Sequence, residues 1–180
     1  SFGTNGFFVY DGPESLYFWK VQTTSDGGYL FGYPSDSTLI KVNSTGSLDT
    51  SCGGDGSVKN TTYSTATSAG FSSNSDGSVY QLLNDLVNKK IIVSKYTATG
   101  TVDTNFGTSG FIELSPVYSG SLLTFSSSLV SFNGNDVFAI ATTKSYDGSI
   151  IIKYELVKID LTSGNVDTSF GVNGYADLSN

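Results

Sequence analysis

The chain contains no histidine, no arginine and no methionine, and it has only one cysteine and three prolines. Histidine is the most frequent general base and metal ligand in enzymes, so its absence removes the commonest acid–base and metal chemistry. Serine is abundant, but no Gly-x-Ser-x-Gly elbow exists to activate it. The three glutamates, Glu14, Glu113 and Glu155, are more typical of a solvated face than of a glycosidase pair. The sequence therefore predicts a non-enzymatic protein that needs no cofactor and no metal.

Positive charge is scarce as well. Nine lysines face sixteen acidic residues, which gives a net charge of -7, and the lysines form no basic stripe. This balance argues against nucleic acid and against an anionic membrane surface as partners. The chain has no apolar run of about eighteen residues, so we expect no insertion into a membrane.

Cys52 is the only cysteine, so it cannot form a disulfide within the chain. With no histidine to activate it, a role as a nucleophile is disfavoured. Its position inside a repeated motif favours a small buried hydrophobic residue. An intermolecular disulfide is the other possibility that the sequence leaves open.

What the sequence does contain is a repeated motif of the form [TS]-G-x-[LV]-D-T-x-[FC]-G-x-x-G. Three copies span residues 45–56, 99–110 and 163–174, and residues 1–6 carry the second half of a fourth. Their last glycines, here called the closing glycines, are Gly6, Gly56, Gly110 and Gly174, at intervals of 50, 54 and 64 residues. A sequence element that returns at such intervals is typical of a repeat architecture. Because the chain opens inside a motif copy, we expect a segment ahead of it to have been removed.

Each interval holds about four short apolar stretches, and helical periodicity is absent over any useful length. The dipeptides Asp26-Gly27, Asp76-Gly77 and Asn133-Gly134 tolerate positive φ, and they stand at equivalent points as hairpin turns. We therefore predict one all-β domain over residues 1–180, built from three four-stranded, propeller-like units. The predicted units are residues 1–52, 53–106 and 107–170, followed by an extra strand within 171–180.

The motif residues themselves have a structural interpretation. Aspartates at the turn can accept backbone N–H groups, with help from the following threonine, and these are Asp49, Asp103 and Asp167. A calcium role is disfavoured because no dense run of acidic ligands surrounds them. Apolar residues four positions before each closing glycine are predicted to fill the seam between neighbouring units, and these are Phe2, Cys52, Phe106 and Phe170.

The segments 26–32 and 39–50 resemble the delta-60 repeat, a family of microbial surface-protein repeats of similar length. The resemblance covers essentially the whole chain as three units and is strongest in the Asp-Thr-x-Phe-Gly-x-x-Gly segment. It implies a propeller-like architecture and a place on a cell surface, but no activity. Cys52 departs from the family pattern, and so do extra residues around 146–155.

Two sequons for N-glycosylation begin at Asn43 and Asn60, both near predicted strand ends or turns. We expect both side chains to be exposed and at least one to be glycosylated if the source is eukaryotic. Together with the low charge and the many hydroxyl groups, the sequons favour an extracellular or cell-surface protein.

Two classes of function fit these observations. The first is a structural or adhesive protein whose repeats assemble with other copies, in a ring or a head-to-tail filament. The second is a carbohydrate-binding module that uses exposed aromatic residues such as Tyr17, Trp19, Tyr33 or Tyr118. Counting the strands leaves one surplus copy at the C-terminus, which we expect to pair with a neighbouring molecule: Tyr175, Ala176, Asp177 and Leu178.

Overall fold

The computed structural model describes residues 2–10, 20–33, 37–88, 90–114, 122–133, 136–146, 150–160 and 163–178. All regular structure in these segments is β-strand, as predicted. The strands are β1 (Lys20–Thr23), β2 (Tyr29–Gly32), β3 (Thr38–Val42), β4 (Ser57–Lys59), β5 (Thr67–Ser73), β6 (Val79–Asp85), β7 (Lys90–Tyr96), β8 (Phe111–Leu114), β9 (Leu122–Asn133), β10 (Asp136–Tyr146), β11 (Ile150–Asp160), β12 (Asn165–Val166) and β13 (Tyr175–Asp177).

The strands form three antiparallel sheets in chain order. The first sheet has the order β1-β2-β3-β4 and the second the order β5-β6-β7-β8. In the third sheet β9, β10 and β11 pair in sequence, and both β12 and β13 pair along the outer edge of β11. The extra residues around 146–155 lengthen the hairpin of β10 and β11, whose register runs from Tyr146 opposite Ile150 to Asp136 opposite Asp160.

The hairpin turns between the second and third predicted strands lie where the dipeptides placed them. Gly27 and Gly77 adopt φ values of 79° and 83°, a region that glycine enters without steric cost. The neighbouring carboxylates accept backbone N–H groups, from Gly28 to Asp26 at 3.1 Å and from Ser78 to Asp76 at 2.8 Å. Gly134 of the third dipeptide lies outside the described residues.

Neighbouring sheets bury an apolar layer between them. Between the first and second sheets, Leu30 and Leu39 pack in one cluster with Phe71 and Val79. Between the second and third sheets, Leu82 and Val93 pack in one cluster with Val157 and other residues. The first strands of the first two sheets, β1 and β5, are in contact, and Lys20 Nζ donates to the Phe71 carbonyl at 2.6 Å.

The strand that follows each of the last three closing glycines completes the sheet before it, not the sheet after it. β4 pairs with β3, β8 pairs with β7, and β13 pairs with β11. Each sheet thus takes in the strand that the sequence analysis assigned to the start of the next unit.

The expectation of a surplus strand at the C-terminus is therefore corrected. Tyr175, Ala176 and Asp177 form β13, which pairs inside its own chain opposite Val157, Leu156 and Glu155. Among the described residues, the motif copy that is followed by no paired strand is the first one, at the N-terminal end of the chain. Residues 7–10 form no strand, and within the described part of the chain a single β-bridge joins Phe7 to Thr4.

Candidate functional site

One ion pair recurs in every unit. A lysine on the strand that precedes each motif contacts the motif aspartate, and the Nζ–Oδ2 distance is 2.9 Å in all three cases. The pairs are Lys41–Asp49, Lys95–Asp103 and Lys158–Asp167. These lysines were not among the predicted site residues, although a lysine stands eight or nine residues before each motif aspartate in the sequence.

The second carboxylate oxygen of each motif aspartate accepts hydrogen bonds from the residue two positions further on. Asp49 Oδ1 accepts the N–H of Ser51 at 3.2 Å and its hydroxyl at 2.5 Å, and Asp167 accepts the same two groups of Ser169. Asp103 accepts the N–H of Asn105 at 3.2 Å. The turn role predicted for the aspartates is thus present. The hydroxyl that bonds Asp49 and Asp167 belongs to the serine two positions further on and not to the motif threonine.

These contacts hold the three carboxylates in the charged form. The Ser51 hydroxyl, together with Lys41, lowers the pKa of Asp49. Lys95 lowers the pKa of Asp103. Lys158 and Ser169 together lower the pKa of Asp167 to about 2. Both oxygens of each carboxylate already have protein partners, so the arrangement serves to fix a turn.

The backbone around each motif repeats the same pattern. The lysine N–H donates to the carbonyl of the closing glycine, and the lysine carbonyl accepts the N–H of the motif aspartate. For Lys95 the partners are Gly110 at 3.2 Å and Asp103 at 2.9 Å. Equivalent bonds join Lys41 to Gly56 and Lys158 to Gly174. The motif therefore ties the last strand of a sheet to the strand beside it, and this set of Lys–Asp and closing-glycine bonds is here called the seam clasp.

The motif also reaches over to the next unit. Gly53 N–H donates to the carbonyl of Thr99 at 2.9 Å, and Gly3 N–H donates to that of Thr45 at 2.6 Å. A Cβ atom on Gly164 would lie 2.3 Å from Gly107 N, so the same close approach occurs in the third unit. The strand after the motif thus pairs within one sheet, while the motif loop contacts the following unit.

Of the four residues predicted to fill the seams, Cys52, Phe106 and Phe2 pack in apolar clusters, and the seam role of Phe170 stays a prediction. Cys52 is buried with Leu30 and Tyr96, and the thiol is free, with its pKa raised by burial. Phe106 is buried edge-on to Tyr80, at a ring-centroid distance of 5.6 Å. Phe2 and Phe170 lie in the first and last motif copies, and both are half-buried. Phe2 packs edge-on against Tyr29 at 5.4 Å.

The two sequon asparagines have different surroundings. Asn60 is only 2% exposed, contrary to the exposure expected of it. Its Nδ2 donates to the Tyr96 hydroxyl at 3.1 Å and its Oδ1 accepts the Tyr63 N–H at 2.8 Å, so the amide is part of the seam between the first two sheets. Asn43 is half-buried in a turn, where Oδ1 accepts the N–H groups of Thr45 and Ser47. Glycosylation of Asn43 stays a prediction.

A surface groove of ≈ 490 Å³ lies where the loop of the second motif copy meets the third unit. Glu113 and Tyr63 line it, and the Tyr63 hydroxyl donates to Glu113 Oε1 at 2.7 Å. Lys90 forms an ion pair with the other oxygen of Glu113. Burial and Glu113 raise the pKa of Tyr63 to about 12.

The equivalent groove at the first motif copy has ≈ 380 Å³ and is lined by Gly3, Thr4 and Gly46, among others. It has no charged group in its lining. Of the aromatic residues considered for glycan binding, Tyr33 is buried, and Tyr17, Trp19 and Tyr118 lie outside the described residues.

No protein-family model matches the chain, and no curated protein matches it significantly. Within the described segments, no group of three or more Asp, Glu or Cys side chains is arranged to hold a metal ion. No helix in those segments is both long and apolar enough to cross a bilayer.

Proposed function

We propose that the protein is a non-enzymatic structural repeat protein of the extracellular space, which builds larger assemblies by stacking propeller-like units. The observation that carries the proposal is the seam clasp. The same Lys–Asp pair and the same closing-glycine bond recur in three units, which is typical of an architecture that extends by adding units.

The surface supports this proposal. Seven large hydrophobic side chains of the described residues are exposed, and four of them belong to the first and last motif regions of the chain. Phe7 and Val9 follow the first closing glycine, while Val172 and Leu178 lie in and after the last motif. Apolar side chains exposed in such groups are typical of contact surfaces between proteins.

Analytical ultracentrifugation over a range of concentrations tests this function. We expect the apparent mass to rise above the 19.0 kDa of one chain as concentration increases. Negative-stain imaging of the same samples would distinguish rings from filaments. A single 19.0 kDa species at every concentration would contradict self-assembly.

A carbohydrate-binding module is the second candidate, and the larger groove favours it. Its lining includes the Tyr63 ring, the amide of Asn165 and the Glu113 carboxylate, which Tyr63 and Lys90 hold in place. Such groups together recognise sugar hydroxyls and ring faces. A glycan array tests it with Glu113→Gln as the binding-site variant. Asp55→Asn is the control, because Asp55 is exposed and outside both grooves. Equal glycan signals from wild type and Glu113→Gln would exclude this groove.

A further inference from the structure

Residues 7–10 occupy the strand position that follows the first closing glycine, but no strand of the described residues pairs with them. Phe8 stacks on Phe31 at 5.8 Å and Tyr10 contacts Tyr33 at 6.1 Å, so these two rings cover the first sheet. The alternate side chains point away, and Phe7 is 70% and Val9 80% exposed. This is the alternation of a β-strand with one face buried.

The backbone of this segment offers an open edge. Among the described residues, no hydrogen bond engages the Gly6 carbonyl or the backbone of Phe8 and Val9. At every other motif copy the closing-glycine carbonyl accepts a lysine N–H from the third strand of a sheet. The strand after it then pairs along that same third strand, as β4 does along β3. The first motif copy lacks this one partner.

We propose that the missing partner is β11 of a second copy of this chain, and that residues 6–9 replace β13 along it. The proposal rests on the proposed function and names the surfaces through which copies assemble. The register of β13 transfers directly, because the closing glycines are equivalent. Gly6 would accept the N–H of the partner's Lys158, while Phe7 and Phe8 would lie opposite the partner's Val157 and the partner's Leu156.

The sequences of the two competing segments favour this exchange. β13 pairs through only three residues, Tyr175–Asp177, which include a small alanine and an aspartate. Residues 7–10 read Phe-Phe-Val-Tyr, four residues with high β-propensity. Ala176 is half-buried where Phe8 would bring a much larger apolar side chain. An unpaired edge of this kind recruits another strand.

The rest of the first motif copy can stay where it is. Its loop is already docked on its own unit through the bond from Gly3 to Thr45 and the contact of Phe2 with Tyr29. Residues 2–9 would then join two copies just as residues 52–59 join the first two units within the chain. Phe2, half-buried now, would become buried between two sheets as Phe106 is. A contact between different surfaces of identical copies extends into a filament unless it closes into a ring.

Disulfide trapping between two differently substituted proteins tests the pairing. The bond from Lys158 N–H to Gly174 makes that pair hydrogen-bonded, so by alternation Glu155 and Asp177 form a non-hydrogen-bonded pair. Val9 would take the place of Asp177. Pairs of this type bring Cα atoms to about 4.5 Å, within the range of a disulfide. In a Cys52→Ala background, Val9→Cys protein mixed with Glu155→Cys protein should give a cross-linked heterodimer under oxidised glutathione.

Val21→Cys is the matched control, because Val21 is also an exposed valine but lies on β1. It should not cross-link to Glu155→Cys protein. Cross-linking of Val9→Cys that is no stronger than that of Val21→Cys would overturn the proposal.

A second variant separates this interface from self-assembly in general. Glu155→Cys combined with Asp177→Cys locks β13 onto its own β11 when oxidised. We expect oxidation to abolish the association seen by ultracentrifugation and reduction to restore it. Association that persists in the locked protein would show this interface wrong while leaving self-assembly intact. A protein that stays monomeric both reduced and oxidised would refute the interface and the proposed function together.

Discussion

Lys95 Nζ lies 2.9 Å from Asp103 Oδ2, and the same ammonium group lies 5.6 Å from the centre of the Tyr80 ring. One side chain therefore joins the motif turn to the aromatic pair formed by Tyr80 and the buried Phe106. This relationship links the seam clasp to the apolar seam beneath it.

The motif ion pairs make the free energy of unfolding depend on pH in the acid range. Because Lys95 lowers the pKa of Asp103, the carboxylate favours folding above its ordinary pKa of 3.8 and loses this contribution as pH falls through the lowered value. Asp167 titrates in the same direction, down to about 2. We expect the free energy of unfolding, from urea titrations, to fall as pH drops from 3.8 toward about 2.

Lys95→Met is the control for this acid dependence, because methionine keeps much of the apolar stem and removes the charge. Its deficit relative to wild type should be largest near neutral pH and should vanish in acid, where Asp103 is protonated. A deficit that does not change with pH would assign the effect of Lys95 to packing against Tyr80.

The repeat, the all-β structure and the hairpin turns could be predicted because each depends on residues close in sequence. Asp26 and Gly27 define their turn without help from the rest of the chain. The sheet that each strand after a closing glycine joins could not be predicted. The motif gives the length of the repeat, but it does not indicate whether the next strand pairs with the preceding sheet or the following one. That choice is made by contacts such as the bond between Lys41 and Gly56.

The exposure predicted for Asn60 was wrong for a related reason. Its pattern covers three residues, whereas burial of the amide depends on the Tyr96 hydroxyl, 36 residues away. The motif lysines could have been found, because each stands at nearly the same distance before its aspartate. A spacing rule of this kind is visible once the motif copies are aligned on their closing glycines.

Asn60 provides a prediction about the polar part of the seam. Asn60→Ala would leave the Tyr63 N–H without its acceptor and would remove the donor to the Tyr96 hydroxyl, which keeps its bond to Gln81 Oε1 at 3.3 Å. Leaving a buried polar group unsatisfied costs about 1–3 kcal/mol. Thr62→Ala removes the same sequon at an exposed position and should leave the urea midpoint unchanged. Equal stability of the two variants would show that the amide does not stabilise the seam.

Cys52 and Phe106 occupy equivalent motif positions in different seams, and we expect the two sites not to be interchangeable. Cys52 is enclosed by Leu30, Leu39 and Phe71, among others, so Cys52→Phe should overpack the first seam and destabilise by about 1–3 kcal/mol. Phe106→Cys should instead leave a cavity beside Tyr80. Denaturant unfolding measures both, and a Cys52→Phe protein more stable than wild type would reveal unfilled space in the first seam.

Gly100 should be far more sensitive to substitution than Gly54, although both adopt positive φ. It adopts φ of +78°, and a Cβ atom there would lie 2.8 Å from both Cys52 Sγ and the backbone N of Gly53. Gly54 has a similar φ of +87° with nothing within 4 Å of its Cβ position, so it isolates the conformational cost. Gly54→Ala should cost roughly 1–2 kcal/mol, the penalty for a left-handed alanine. Gly100→Ala should cost clearly more, because the Gly53 backbone cannot move without breaking its bond to Thr99. Urea unfolding of both variants measures the difference, and equal losses would mean that the seam relaxes to admit a methyl group.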